Sequence, residues 1–143
     1  MRALWVFCGL FATSLALGEA EASTVPLEVT IEGATPTTGN AVVAVFDSKS
    51  TYMKFPVVQS STPVDASGRV VVMFDDLKPG EYAVTIYHDA NGNGELDTGL
   101  FGPKEKFGFS NNAKGRFGPA AFAKAKFVVT GPMTRITIQL AGV

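Results

Sequence analysis

The chain has 143 residues, with 12 basic and 13 acidic side chains, one histidine and one cysteine. This length corresponds to a single domain, and the near balance of charge gives no global field that would steer the protein toward nucleic acid or an anionic membrane. A lone cysteine excludes an internal disulfide and a cysteine-rich metal site.

Residues 1–22 have the features of a secretory signal peptide. A positively charged end precedes an apolar run, residues 3–17, and residues 20–22 read Ala-Glu-Ala, the small-x-small pattern that signal peptidase cuts after. The run is short for a membrane span. We therefore expect cleavage after Ala22 rather than an uncleaved anchor, and a periplasmic or secreted protein with no membrane span. The mature chain then has no thiol and carries 11 basic and 11 acidic residues.

The mature chain is predicted to be a series of short β-strands. Leu27, Val29 and Ile31 alternate with polar residues, which indicates a half-buried strand. Residues 40–47 are apolar at nearly every position, as in a central strand covered on both faces. Other strands are expected as a short edge strand around residues 57–58 and at residues 68–74, 80–88, 125–131 and 134–140.

About seven strands separated by Gly, Pro, Asn and Asp predict an all-β fold. We expect an antiparallel β-sandwich of the immunoglobulin-like or prealbumin-like kind, formed as one domain by residues 23–143. The last two strands are expected to form a terminal hairpin about Gly131-Pro132. A single helical turn fits only within residues 119–126.

One connection, residues 89–124, is much longer than the connections of most compact domains. It contains five phenylalanines, and a disordered segment rarely carries so many aromatic residues. We therefore expect a long ordered loop excursion that packs on itself.

This excursion begins with an alternating ladder of Asp and Asn. Calcium prefers six to eight hard oxygen ligands, and alternate side chains of a curled loop point inward, with Gly94 at the bend. The spacing matches the first part of an EF-hand loop. It predicts a calcium site whose ligands are Asp89, Asn91, Asn93, the main-chain carbonyl of Glu95, and Asp97.

The ladder departs from a complete EF-hand. Leu100 stands where the bidentate glutamate would be, and the flanking segments are not two helices. We expect binding in the range of extracellular modules, roughly 10⁻⁴ to 10⁻³ M, with the missing ligand supplied by Glu105 or by another loop. The alternative is a plain hairpin turn, for which Asn-Gly is a strong signal.

Two stretches resemble known families. Residues 74–89, FDDLKPGEYAVTIYHD, resemble the Leu-x-Pro-Gly-x-Tyr strand start of transthyretin-like sandwiches, and the Asp/Asn ladder resembles calcium loops in B-type repeats of Gram-positive surface adhesins. HDANGNGELDTG followed by KFGFSNNAKGRFGPAAFAKAKF is similar to the bacterial secreted family called domain of unknown function 2141. That resemblance covers about residues 27–140 and implies a secreted or periplasmic β-sandwich, but no activity.

Groups that could catalyse a reaction are few. The one histidine, His88, is expected on the same strand face as Tyr82, Val84 and Ile86, whereas its neighbour Asp89 should point to the opposite face. A transthyretin-like hydrolase of the urate pathway uses histidines, an arginine and a Tyr-Arg-Gly-Ser ending, but this chain ends Leu-Ala-Gly-Val. We assign no catalytic residue, and one histidine without a mature thiol makes zinc unexpected.

A candidate ligand site lies in residues 107–119. Phe109 could stack on a sugar or peptide, Asn111 and Asn112 could hydrogen-bond to it, and Arg116 could pair with an anionic group. The alternative is that the phenylalanines only hold the excursion down. Nucleic acid is not expected, because the mature chain has no excess of positive charge.

Two functions remain open. The favoured one is a calcium-stabilised, non-catalytic module that binds an extracellular or periplasmic ligand such as a carbohydrate, a peptide or a surface protein. The other is a small exported hydrolase that uses the metal loop or Arg116. A metal enzyme needs an open coordination position and a nearby base, and that requirement separates the two.

We expect the exported protein to begin at Ser23, because the Ala-Glu-Ala site directly follows a short apolar run. The intact mass of protein recovered from the periplasm or the medium measures this. A mass that retains residues 1–22 would contradict cleavage and favour the uncleaved anchor.

Overall fold

A computed structural model of the protein describes Gly18 and residues 23–142. The expected signal peptide therefore lies outside the described residues, apart from that one glycine. Within the described part, no helix is long and apolar enough to cross a membrane.

Short strands dominate the described chain. All seven strands expected from the sequence are present, and three more lie inside the long connection, where none was expected. The strands are β1 (Val25–Glu32), β2 (Asn40–Phe46), β3 (Val58–Pro63), β4 (Val70–Leu77), β5 (Gly80–Asp89), β6 (Thr98–Gly99), β7 (Gly102–Pro103), β8 (Phe107–Phe109), β9 (Phe127–Val129) and β10 (Thr134–Gln139), with a 3₁₀ turn at Ser110–Asn112 and a helical turn α1 at Phe122–Ala125.

The strands form two main sheets. One sheet has the order β10-β1-β4, and the other has the order β3-β2-β5-β8, with β9 also paired to β5. The apolar faces of both sheets meet in one core, to which Leu27, Val29 and Ile31 of β1 and Val43 and Val84 of the second sheet contribute. The expected all-β sandwich is therefore confirmed, and the short strands β6 and β7 pair separately as a small hairpin.

The predicted terminal hairpin is wrong. Strand β9 pairs antiparallel with β5, whereas β10 pairs parallel with β1 in the other sheet, so the sandwich is not purely antiparallel. Between them the chain turns at Gly131, whose φ of 74° favours glycine. The Thr134 hydroxyl accepts from the Thr130 amide and donates to the Thr130 carbonyl, which closes the turn without any strand pairing.

Strand β5 is the strand that positions the candidate site. It pairs with β2 along one side, and on its other side it pairs with β9 near its start and with β8 near its end. Tyr82, Val84, Ile86 and His88 are buried. The strand ends at Asp89, so its last residues carry His88 and Asp89 directly into the Asp/Asn ladder.

The excursion is held to β5 by a buried hydroxyl. Ser110 is completely buried, and its Oγ accepts from the Val84 amide at 2.9 Å and donates to the Ala125 carbonyl. A second apolar cluster around Phe109 and Ala125 packs at the same place. The excursion is therefore an ordered segment that packs on the fold, as expected. Not all of its phenylalanines contribute to this packing, because Phe101 and Phe117 are fully exposed.

Replacement of Ser110 by alanine is expected to destabilise the fold by about 1–3 kcal/mol, because a buried amide and a buried carbonyl lose their partner. Thermal melting should show this as a Tm lower by roughly 3–15 °C. Ser61→Ala is the matched control, because Ser61 is exposed on the edge strand β3, and it should change stability by less than about 0.5 kcal/mol. Equal melting of the two variants would show that the Ser110 hydroxyl does not anchor the excursion.

Candidate functional site

The Asp/Asn ladder folds around a buried carboxylate at the end of β5. Asp89 is 2% exposed, its Oδ1 accepts from the Asn93 amide at 3.1 Å, and its Oδ2 accepts from the Gly94 amide at 2.8 Å. Gly92 and Gly94 have φ values of 73° and 78°. These left-handed positions curl the backbone so that its amides turn toward the Asp89 carboxylate.

Asn91 and Asn93 link the part of the loop around Asp89 to the Asp97 carboxylate. Asn93 Nδ2 donates to Asp97 Oδ1 at 2.8 Å, and Asn91 Nδ2 donates to Asp97 Oδ2. Asn93 Oδ1 in turn accepts from the Glu95 amide at 3.0 Å. The structure therefore brings all five residues of the predicted metal site into one hydrogen-bonded loop.

Glu105 closes this loop from its other side. It is 8% exposed, and its two oxygens accept from the Ala90 amide at 3.0 Å and from the Asp97 amide at 3.1 Å. From the sequence, Glu105 was only one of several possible sources of a further ligand. The structure places it in direct contact with the ladder, so the loop has a second buried carboxylate.

Within the described part of the chain, the two buried carboxylates of Asp89 and Glu105 have no cationic partner. Among the described residues the ion pairs are Lys126–Glu81 and Arg135–Glu28, so neither Asp89 nor Glu105 has a basic side chain within 4.0 Å. Burial of a charge is costly unless the charge is paired or binds a metal. An ionised carboxylate has about four acceptor sites, and each of these two uses only two of them on amides, so both keep oxygen lone pairs.

The acidic side chains of the loop do not by themselves form a metal site. Within the described part of the chain, no group of three or more His, Cys, Asp or Glu side chains is arranged to hold a metal ion. Asn91 and Asn93 direct their NH₂ groups at Asp97, as expected for a carboxylate that attracts donors. A calcium ion would need the two amides to rotate and present oxygen, with main-chain carbonyls completing the set.

The pKa of Tyr87 responds to the negative charge of the loop. Its hydroxyl donates to the Gly94 carbonyl at 2.7 Å. Burial raises the pKa of Tyr87, and the negative charges of Asp89, Glu105 and Glu95 raise it further. The loop therefore has a negative potential that is felt by a group in direct contact with it.

His88 contributes packing rather than an accessible base. It is 3% exposed, and its Nε2 lies 2.7 Å from the Thr38 carbonyl. A carbonyl only accepts, so Nε2 carries the proton and donates it in that bond. His88 therefore shares the buried face of β5 with Tyr82, Val84 and Ile86, as expected from the sequence.

A second candidate site is a cavity beside β8. Its volume is about 510 Å³, which is in the range of small-molecule sites. Its lining is mostly apolar and includes two phenylalanines, three glycines and a few polar side chains. The lining residues are Phe107, Gly108, Phe109, Asn112, Ala113, Lys114, Gly115, Gly118, Gln139 and Ala141.

The structure divides the four predicted ligand-binding residues between the cavity and other roles. Phe109 and Asn112 line the cavity, and the Asn112 Oδ1 accepts from the Gln139 amide at 2.9 Å. Asn111 does not line it and instead donates to the carbonyls of Lys124 and Lys126. Arg116 is exposed and also lies outside the lining.

Sequence reasoning named Asn111 and Asn112 but not their backbone conformation, and it missed the glycines and Gln139 that line this cavity. Asn111 and Asn112 have φ values of 60° and 48°, a left-handed conformation that asparagine tolerates. A Cβ added to Gly115 would lie 1.8 Å from the Gly118 carbonyl oxygen, so the wall needs glycine there. The Asn-Asn pair and the repeated glycines of FGFSNNAKGRFG were the available signal for this tight backbone path.

Comparison with known proteins identifies the family. The model of a family described as "Uncharacterized protein conserved in bacteria (DUF2141)" matches residues 29–137. No curated protein and no solved structure matches the chain. The matched residues run from within β1 to within β10, and they include the whole Asp/Asn ladder and the FGFSNN segment. The chain therefore belongs to the DUF2141 family.

Proposed function

We propose that this DUF2141 protein is an exported, calcium-stabilised and non-catalytic binding module. The observation that carries the calcium part is a pair of buried carboxylates at the Asp/Asn ladder, those of Asp89 and Glu105. Neither has a basic partner among the residues that the structure describes. A divalent cation at this place would neutralise both charges and use the lone pairs that the amides leave free.

The residues of the loop fit a calcium ion by their chemistry. Asp89, Asp97 and Glu105 would supply charged oxygens only after their side chains shift toward the ion, because in the described structure they do not form a group arranged to hold a metal. The other ligands would be neutral. Calcium accepts such mixed oxygen sets and tolerates irregular geometry, whereas magnesium needs a stricter octahedron and keeps its waters. We therefore assign the site to calcium, with Asn91, Asn93 and the Glu95 carbonyl as the neutral ligands.

The contacts around Glu105 explain why the ion would be structural. The Lys104 amide donates to the Asp97 carbonyl, and the His88 amide donates to the Lys106 carbonyl, both at 2.8 Å. Glu105 lies between these two main-chain bonds, so an ion held by Asp89 and Glu105 would tie the end of β5 to the start of β8. We propose that calcium thereby orders the excursion.

The binding role is assigned to the cavity beside β8. Phe107 and Phe109 offer aromatic surface, and Asn112, Lys114 and Gln139 offer polar groups at its wall. A few polar groups in a mainly apolar concavity are the usual composition of a ligand site. We propose a carbohydrate or peptide ligand, for which rings stack on the apolar face and the polar groups set orientation.

The alternative, an exported hydrolase, has less support. A hydrolytic metal site needs a base beside the metal, and the chain's one histidine has its Nε2 on the Thr38 carbonyl. Arg116 is exposed and has no side-chain hydrogen bond or ion pair within the described part of the protein. Neither residue forms the arrangement of paired groups that hydrolysis requires.

Calcium is expected to raise the melting temperature of the wild-type protein. At about 1 mM calcium and a Kd near 10⁻⁴ M, linkage adds about 1.4 kcal/mol, which corresponds to a rise of roughly 3–8 °C for a domain of this size. Differential scanning calorimetry with calcium, magnesium or chelator measures it. Magnesium should raise the Tm less, because it releases its waters reluctantly.

Two variants make this measurement specific. Asp89→Ala should abolish the calcium-dependent rise, whatever its effect on the Tm in chelator. Asp76→Ala removes the same charge from an exposed position on β4 and should leave the rise intact. Identical melting of the wild-type protein with calcium and with chelator would mean that the ladder is a plain turn.

Calcium is also expected to lower the pKa of Tyr87. The carboxylates of Asp89, Glu105 and Glu95 raise this pKa, and a bound divalent cation would cancel their effect, so the tyrosinate should form at lower pH. The effect of burial remains, so the pKa should stay above its ordinary value. Ultraviolet titration of tyrosinate absorbance with calcium or chelator, compared with Tyr87→Phe, isolates this group from Tyr52 and Tyr82. An unchanged Tyr87 titration would contradict an ion beside the loop.

A further inference from the structure

The β6–β7 hairpin presents two large apolar side chains to solvent. Leu100 and Phe101 form its tip and are 92% and 99% exposed. Single exposed apolar residues are ordinary on protein surfaces. Here two adjacent apolar side chains at the tip of a hairpin have almost all of their surface in water. They therefore contribute almost nothing to the packing of the fold.

The hairpin holds this tip on a defined frame. Thr98 pairs with Pro103, and Gly99 pairs with Gly102, whose φ of 121° suits the tight turn. At the base of the frame, the Lys104 amide donates to the Asp97 carbonyl at 2.8 Å. The tip is therefore attached directly to residues of the proposed calcium loop.

The charges around the tip have a simple arrangement. Residues 98–103 contain no charged side chain, and Lys104 follows them. The Lys104 side chain lies against Gly99 of the hairpin. A Cβ added at Gly99 would be only 2.8 Å from Lys104 Cε. Behind the tip lie the carboxylates of Asp97 and Glu105, which would repel an anionic surface unless a cation neutralised them.

We propose that the Leu100-Phe101 tip inserts into the interfacial region of an anionic lipid bilayer when calcium occupies the adjacent loop. The calcium dependence rests on the function proposed above. Apolar side chains enter the boundary between headgroups and acyl chains, and nearby positive charge attracts anionic lipids. Lys104 supplies that positive charge, and the bound cation would reduce the negative charge of the loop behind it, although the mature chain has no net positive charge.

The size of the tip favours a bilayer over a protein partner. A specific protein interface buries at least about 1,000 Å², and a tip of two residues on a narrow hairpin offers only a small part of that area. A bilayer, by contrast, surrounds a projecting side chain on all sides. The geometry thus fits shallow insertion into lipid better than docking on a flat surface of another protein.

Sedimentation with vesicles tests the proposal. The full mature chain is mixed with vesicles of phosphatidylcholine alone or with phosphatidylserine, in 1 mM calcium or in chelator. We expect calcium-dependent binding to the phosphatidylserine vesicles. Leu100→Ser combined with Phe101→Ser should weaken it at least tenfold, which is about 1.4 kcal/mol. Phe55→Ser is the matched control, because Phe55 is also exposed but lies between β2 and β3, and it should bind as the wild type does.

Thermal melting of the same samples separates the two proposals. If calcium raises the Tm but no vesicle binding occurs, or if the tip variant binds as well as the wild type, membrane insertion is overturned and the calcium site stands. Binding that is lost in the tip variant but is equal in calcium and chelator would support insertion and contradict its calcium dependence. A dimer of the wild-type protein that dissociates in the tip variant, without vesicle binding, would overturn insertion in favour of self-association.

Discussion

The edge of β5 that faces away from β2 is shared by two strands that are far apart in sequence. Strand β9 occupies its start, from Gly80 to Tyr82, and β8 occupies its later part, from Thr85 to Tyr87. The chain must therefore leave the sheet after Asp89, return as β8, leave again and return as β9. The long excursion follows from this constraint, and its polar anchors, such as Ser110, satisfy the backbone where it turns away.

The same constraint brings the two buried carboxylates together. Asp89 pairs with Asn40 of β2 at the end of β5. Phe107 of β8 pairs with Tyr87, which lies two residues before Asp89 on the same strand. The intervening segment has to double back over a short distance, so Glu105 meets the amides of Ala90 and Asp97. Concentrating negative charge in this way is costly. Within the described part of the chain, β5 and β8 hold the region in place, and neither carboxylate forms a salt bridge there.

Sequence patterns were informative wherever a local rule decided the outcome. The alternation of Leu27, Val29 and Ile31 identified the buried face of β1, and the Asp/Asn spacing identified residues that do meet in one loop. Alternation shows which face of a strand is buried but not which strand lies beside it. For that reason the parallel pairing of β10 with β1 was not foreseen, and strand β8, with only three residues among glycines, gave too short a pattern to detect.

Glu105 shows where a sequence motif stops being sufficient. Its place beside the ladder depends on the β6–β7 hairpin, which turns the chain back so that Lys104 reaches Asp97. One short segment thus joins the apolar tip, the second buried carboxylate and, through Lys106 and Phe107, the wall of the cavity. Because the segment is continuous backbone, order imposed at Glu105 would reach both the tip on one side and β8 on the other. The Asp/Asn ladder, the tip and the cavity are therefore better regarded as one connected structural unit than as three separate sites.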